Sequence, residues 1–239
     1  MEHFPGAMTA AEFSDSVVRY LNHRFHVPTD KMLIGSSTCV DDIIFTKNFH
    51  QHPEVKGPFH LGGLAGLPFT GVSGLEAFAH HIPDGGTMIL MIQPHIGLSE
   101  KGGWGYILRH EQHGVSTCCG ALMGTLDKLQ KGTLMSDISE DDYQGCKIAA
   151  MTIAHEKEIL GAENPIIALT KLTSDEAEQQ IRNHVLDIDL AHIKYIVIIT
   201  GVMINTDYPY SDYEFIDHIL VYDVHKKRFV EELINQMNP

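Results

Sequence analysis

A chain of 239 residues with 44% hydrophobic and 20% charged side chains has the composition of one well-buried globular domain spanning 1–239, with no linker to divide it. A formal net charge of −14 at pH 7, with no Lys/Arg block to offset it, argues against a nucleic-acid phosphate surface. No apolar run reaches the roughly 18 residues of a membrane span. The start, Met1-Glu2-His3-Phe4-Pro5-Gly6, lacks a basic stretch followed by an apolar one, so a cytoplasmic location is expected.

In chain order, residues 9–26 carry Phe13, Val17, Tyr20, Leu21 and Phe25 at helical spacing. Thr9 is placed to cap this helix, Glu12 to complete a capping box, and Pro28 to end it. Lys31 to Gly35 reads as a strand, followed by Ser36-Ser37-Thr38 and Cys39. A helix can begin at Asp41 and run through Ile43, Ile44 and Phe45, its N-terminus pointing back at the Cys39 turn. Residues 59–79 alternate glycines 62, 63, 66, 71 and 74 with apolar side chains. They read either as a tight loop lining an apolar pocket or as a turn-rich connection into a helix near Ser73. Neither G-x-x-x-x-G-K-[ST] nor G-x-G-x-x-G occurs, so nucleotide binding lacks support.

Thr87 to Ile92 is a short apolar run between Gly85-Gly86 and Pro94, the mark of a strand buried on both faces, and His95 follows it. Helices are expected over residues 119–131, ended by Gly132, and from Asp137 to Leu160, closed by Gly161. Pro165 to Leu169 reads as a short strand, and Ser174 to Leu186 as a helix capped by Ser174. Lys194 to Ile204 is the longest apolar run, and its β-branched content makes it a central strand. Asp217 to Val224 and Lys227 to Val230 suggest a hairpin through His225-Lys226. Alternating strands and helices imply an α/β domain around a mostly parallel sheet flanked by helices.

Ligands of open α/β sheets bind beyond the carboxyl ends of strands. Two strand ends and a helix start deliver Cys39, His95 and the pair Cys118-Cys119, a mixed sulfur and nitrogen set of the kind zinc prefers. Four cysteines are too few for a disulfide scaffold in a chain this long. Three protein ligands leave one zinc position open, and water held there has its pKa lowered from roughly 16 to about 7 in favourable cases. Two thiolates and a neutral imidazole cancel the metal's charge, so hydroxide leaves the site at −1. An oriented acceptor and a balancing cation then both help. Asp41, two residues after Cys39, can supply the acceptor, or can bind zinc itself and close the site. The competing readings are plain. Sixteen histidines make any one of them weak evidence, and His23, His26, His50, His52, His60, His155, His184 and His192 are assigned to the surface or to caps. Cys146 is read as a buried free thiol, Cys118-Cys119 can be two core thiols, and His50-Gln51-His52 is read as solvated.

Phe59 to Gly71, Ala79-His80-His81-Ile82-Pro83-Asp84-Gly85-Gly86, Pro94-His95-Ile96-Gly97, Ser116-Thr117-Cys118-Cys119-Gly120-Ala121 and Thr200 to Thr206 together resemble the limiting-CO2-inducible B/C family, whose members are similar to β-type carbonic anhydrases. The resemblance covers roughly residues 30–225. It implies a β-carbonic-anhydrase-like fold, a zinc held by Cys, His and Cys, an Asp–Arg pair beside it, and a homodimer. Carried over by position, the ligands are Cys39, His95 and, by the pattern S-x-x-C-G-A, Cys119; the dyad aspartate is Asp41. This chain departs from C-x-D-x-R: Ile43 occupies the arginine position, and Phe45 stands where algal members place theirs. Arg109 aligns with an arginine of the algal members and is either the candidate to reach Asp41 from another loop or a surface residue.

The activity implied is reversible hydration of CO2 to bicarbonate by zinc-bound hydroxide, with Asp41 orienting the nucleophile. Leu64, Leu67 and Phe69 are expected to line an apolar CO2 pocket, and His80 or His81 to shuttle the proton. The missing arginine keeps a rival alive, a non-catalytic zinc-stabilised subunit responding to inorganic carbon. Hydrolysis of a CO2-like molecule such as carbonyl sulfide is the second enzymatic alternative.

Overall fold

The computed structural model describes residues 2–42 and 55–234. The expected helix beyond its first two residues, the arginine positions Ile43 and Phe45, and His50-Gln51-His52 lie outside the described residues. A short strand β1 (Met8–Thr9) leads into α1 (Ala10–Phe25), where Thr9 Oγ1 accepts from the Glu12 amide at 3.4 Å and Glu12 Oε2 accepts from the Thr9 amide at 3.0 Å. That is the reciprocal capping box the spacing predicts. Next come β2 (Met32–Thr38), β3 (Lys56–His60), α2 (Gly71–Ala79), β4 (Thr87–Gln93), β5 (His95–Ser99), β6 (Gly103–Trp104), β7 (Tyr106–Ile107) and β8 (Ser116–Thr117). The chain continues through α3 (Gly120–Gln130), α4 (Tyr143–Ala154), α5 (Glu156–Gly161), α6 (Pro165–Leu186), β9 (Tyr195–Thr206), β10 (Tyr213–Asp223) and β11 (Arg228–Ile234).

The main sheet runs in the order β1-β10-β9-β4-β2-β3. Its centre is parallel, from β3 through β2 and β4 to β9, and the expectation of a mostly parallel sheet holds there. Beyond β9 the flank turns antiparallel, with β10 on β9 and both β1 and β11 on β10. The twelve residues of β9 are long enough to serve two neighbours in line. Its first half pairs with β4, and its second half pairs with β5 through His95↔Met203 and Gly97↔Asn205. Pro94 marks the join, its carbonyl accepting from the Met203 amide at 2.9 Å. Proline cannot donate to a ladder, so β4 stops there and the next residue, His95, starts afresh on the same neighbour.

Side chains of alternate residues feed two cores, one on each face of the sheet. Met32, Ile34, Ile89, Met91, Val197 and Ile199 pack under α1 with Phe13, Val17 and Leu21. Met88, Leu90, Ile92, Ile196 and Ile198 pack on the other face with α2 and with the helices α3 to α6. Cover on both faces explains why β4 and β9 read as unbroken apolar runs.

Four local expectations need correction. Pro165 to Leu169 is the first turn of α6, not a strand: the Asn164 side chain caps the helix at the Ile167 amide, and Pro165 occupies a first-turn position where its missing N–H costs nothing. Ser174 therefore lies inside α6, its hydroxyl donating to the Gly201 carbonyl at 3.0 Å, and caps nothing. The expected helix from Asp137 to Leu160 is two, with Asp142 capping α4 at the Gly145 amide and a break at His155 before α5. Cys146 is only partly buried and donates its thiol proton to the Asp137 carbonyl at 2.8 Å. Among the described residues, no helix is long and apolar enough to cross a membrane.

Candidate metal centre

The glycine-rich stretch decides where Cys39 goes. Residues 61–67 fold against the end of β2: the Leu61 amide donates to the Ser36 carbonyl at 2.8 Å, the Val40 amide to Gly63 at 3.1 Å, and the Ser37 hydroxyl to Gly66 at 2.9 Å. A Cβ on Gly62 would stand 2.4 Å from the Thr38 carbonyl oxygen, so only glycine allows the loop this close. The Ala65 amide then points at Cys39 Sγ, 3.1 Å away. The reading of residues 59–79 as a turn-rich connection into a helix holds, since the loop passes beside Cys39 and runs into α2.

His95 enters from β5, and Cys119 from the first position before α3. The two arms are laced by the Gly97 amide to the Cys118 carbonyl at 2.8 Å and the Cys118 amide to the Gly105 carbonyl at 2.9 Å. Here too a Cβ is excluded: on Gly97 it would lie 2.4 Å from the Tyr106 carbonyl oxygen and 2.9 Å from Cys118 Cβ.

Cys39, Asp41, His95 and Cys119 each offer a ligand atom, all within 4.8 Å of one another. The two sulfurs are 3.5 Å apart, and His95 Nε2 is 4.0 Å from Asp41 Oδ2. Cys39, His95 and Cys119 are buried, whereas the Asp41 side chain is 38% exposed, so the cluster meets solvent on the Asp41 side. Asp41 Oδ2 accepts from the Gly120 amide, the first residue of α3, at 2.7 Å.

Protons occupy positions from which a bound cation would displace them. The hydrogen bond from Cys119, opposed by burial and helped by His95, pulls the Cys39 thiol down to about 5. Cys119 is pushed up by donating to Cys39 and by burial. Burial disfavours a charged His95, but the sulfurs of Cys118, Cys119 and Cys39 outweigh it and hold its pKa above the ordinary value. Its Nε2 is buried and has no hydrogen-bond partner in the protein. A buried orphan nitrogen beside two sulfurs is a donor set that fits a zinc-like ion, and an orphan of this kind otherwise carries a desolvation penalty.

Other candidates fall elsewhere. Cys118 is outside the cluster, its sulfur 3.4 Å from His95 Nδ1, on the opposite side of the ring from Nε2. Arg109 does not pair with Asp41: its guanidinium donates to the Ser116 hydroxyl and, at 3.4 Å, to the Thr117 carbonyl, on the strand that leads to Cys118. Leu64 is held at its amide by Gln144 Oε1 at 2.8 Å, Leu67 is buried in the same core as Cys39 and Cys119, and Phe69 packs edge-on to Tyr143. His80 closes α2, and His81 follows it with Nδ1 against the Ala77 carbonyl. They stand where the chain turns back towards the start of β4, the end remote from His95. Sequence reasoning passed over Asn205, 2.8 Å from His95 Nδ1, and Gln144. The only signal for Asn205 was a polar residue closing the longest apolar run.

No curated protein matches the chain. Among solved structures it is similar to PtLCIB4, a homolog of the limiting CO2-inducible protein LCIB, with 26% identity, 98% of each chain covered and a TM-score of 0.86. LCIB itself shares the fold, at 17% identity over 97% of this chain and 96% of that one, with a TM-score of 0.71. The profile of the limiting CO2-inducible proteins B/C beta carbonic anhydrases matches residues 7–223. With its α/β sheet and Cys–His–Cys–Asp cluster, the chain belongs to the limiting CO2-inducible protein B/C family of β-type carbonic anhydrases.

Proposed function

We propose that this protein is a zinc-dependent carbonic anhydrase (carbonate dehydratase) interconverting CO2 and bicarbonate, and that it works as a homodimer. The observation that carries the reading is the convergence of Cys39, His95 and Cys119 with a solvent-facing Asp41 at the carboxyl ends of parallel strands. Cys39 Sγ, Cys119 Sγ and His95 Nε2 would hold the metal. Bound zinc supplies a Lewis acid that makes water acidic enough to be nucleophilic near neutral pH.

The chain's own residues do the rest. The two thiolates balance the cation's charge. Asp41, anchored by the Gly120 amide, would accept a hydrogen bond from the attacking water and so fix the direction of its lone pair. Leu64, Leu67 and Phe69 supply the apolar wall that a neutral, nonpolar substrate needs. His80 and His81 take no part, because α2 ends away from the cluster. Neither does Arg109 act as the dyad partner; its role is to hold the Ser116–Thr117 strand.

One observation favours the second reading, a non-catalytic zinc-stabilised subunit. Asp41 lies within ligand distance of the same cluster, and among the described residues no arginine pairs with it to draw it away. Stopped-flow CO2 hydration on zinc-loaded protein separates the two. A rate above buffer supports the enzyme. No rate from acidic to alkaline pH leaves the binding protein.

A further inference from the structure

We propose that Asn205 is the positioning residue of the metal centre: it orients His95 so that Nε2, not Nδ1, faces the metal, and thereby selects Cys119 over Cys118 as a ligand. The inference rests on the metal-binding reading above. Asn205 is buried, near the end of β9, and the β5–β9 register sets it beside Gly97, two residues along from His95. Its Oδ1 is 2.8 Å from His95 Nδ1 and also accepts from Cys118 Sγ at 3.3 Å. An amide oxygen has two lone pairs, enough to accept from the Cys118 thiol and from a hydrogen on Nδ1.

The amide cannot turn over without loss. Turned over, the amide would put its NH2 group where the oxygen is, and the Cys118 thiol would lose the acceptor it has at 3.3 Å. The carboxylate near Nδ1, Asp42 Oδ2, stands at 3.8 Å, outside hydrogen-bond distance. When a metal displaces the second proton, the neutral imidazole therefore keeps its hydrogen on Nδ1, and Nε2, which has no hydrogen-bond partner in the protein, is the nitrogen left to ligate.

Without Asn205, His95 has a second way to ligate. Nδ1 lies 3.4 Å from Cys118 Sγ, so an unprotonated Nδ1 would build a rival donor pair with the wrong cysteine. The amide excludes this pair twice, by favouring the tautomer with its hydrogen on Nδ1 and by accepting from the Cys118 thiol. Outer partners of this kind also raise the basicity of the ligating nitrogen and commonly matter 10–100-fold for metal affinity.

The test uses the full chain, with zinc affinity measured by competition against a chromophoric chelator and the ligand field read from the absorption of the cobalt-substituted protein. Asn205→Leu should weaken zinc binding by about 10–100-fold and alter the cobalt spectrum. Asn205→Asp, which keeps an acceptor for Nδ1, should restore most of the affinity and the wild-type spectrum. Asn205→Ala serves in place of the leucine variant should the larger side chain prevent folding. Wild-type affinity and an unchanged cobalt spectrum in Asn205→Leu or Asn205→Ala would overturn the proposal alone. So would equal weakening in Asn205→Asp with equal loss of stability in the metal-free proteins, which marks a merely structural role. A wild type that takes up no zinc would overturn the metal-centre reading and this inference with it.

Discussion

Asp41 Oδ2 accepts the Gly120 amide at 2.7 Å and stands 4.0 Å from His95 Nε2. One oxygen thus faces both the start of a helix and the candidate metal position. The free amides and dipole of a helix N-terminus stabilise a carboxylate, so α3 does in part what a paired arginine would do. If that anchor keeps Asp41 off the metal, Asp41→Ala should lower CO2 hydration by about 10²-fold, the scale of one lost electrostatic partner. Stopped-flow assays decide it. A variant faster than wild type would mean that Asp41 had been closing the site.

Cys119→Ser should lose zinc while Cys118→Ser keeps it. Cys119 Sγ lies 3.5 Å from Cys39 Sγ, whereas the Cys118 sulfur contacts Nδ1 and the Asn205 oxygen. Metal content after gel filtration is the readout. The reverse pattern would shift the ligand by one residue.

Arg109→Ala should act through the metal rather than through Asp41. The guanidinium ties down Ser116 and Thr117, the two residues before Cys118, so its loss should loosen the Cys119 arm. Zinc affinity should fall by about tenfold, within the range for outer-shell partners. A lower hydration rate at unchanged zinc affinity would instead restore Arg109 as the charge partner of the reaction.

Glu214 offers a pH test away from the ligands. Burial raises its carboxyl from an ordinary 4.5 to about 8, against a lowering hydrogen bond from Gln93 Nε2 at 2.6 Å and with Asp42 and Asp212 adding repulsion. Between those two values the native state holds a proton that the unfolded chain has released, so stability falls as pH rises. The contribution is whole below about 4.5 and is lost as pH climbs through about 8. Glu214→Gln cannot ionise. Its stability relative to wild type should therefore grow across that window by on the order of a few kcal/mol in urea unfolding. A difference that stays flat from pH 5 to 9 would refute this.

Much of the architecture was written locally. Thr9 and Glu12 announce a helix start, and the apolar run ending at Pro94 announces a buried strand with His95 beyond it. Pro165 to Leu169 misled because a five-residue apolar run looks alike in a strand and in the first turn of a helix; only the Asn164 cap tells them apart. The Cys39, His95 and Cys119 cluster was legible because each follows or opens an element whose end could be read. Asn205 was not, since its place beside His95 depends on β9 running on past β4 to pair with β5. Arg109 was misjudged for a related reason: the β7–β8 ladder, Ile107 opposite Ser116, turns it towards a hydroxyl.

The two sulfurs that lie 3.5 Å apart are separated by 80 positions along the chain, and the imidazole between them comes from a third segment. An unfolded chain therefore holds no precursor of the site, and contacts this distant in sequence form late and slowly. Zinc should bind the native state alone and stabilise it by mass action, by about 4 kcal/mol at a thousandfold excess over Kd. A chelator should lower the melting temperature accordingly, and zinc added during refolding should leave the folding rate unchanged while slowing unfolding. Acceleration of folding by zinc would contradict this order of events. Metal capture would then report that the strands have already found their register, and would take no part in bringing them to it.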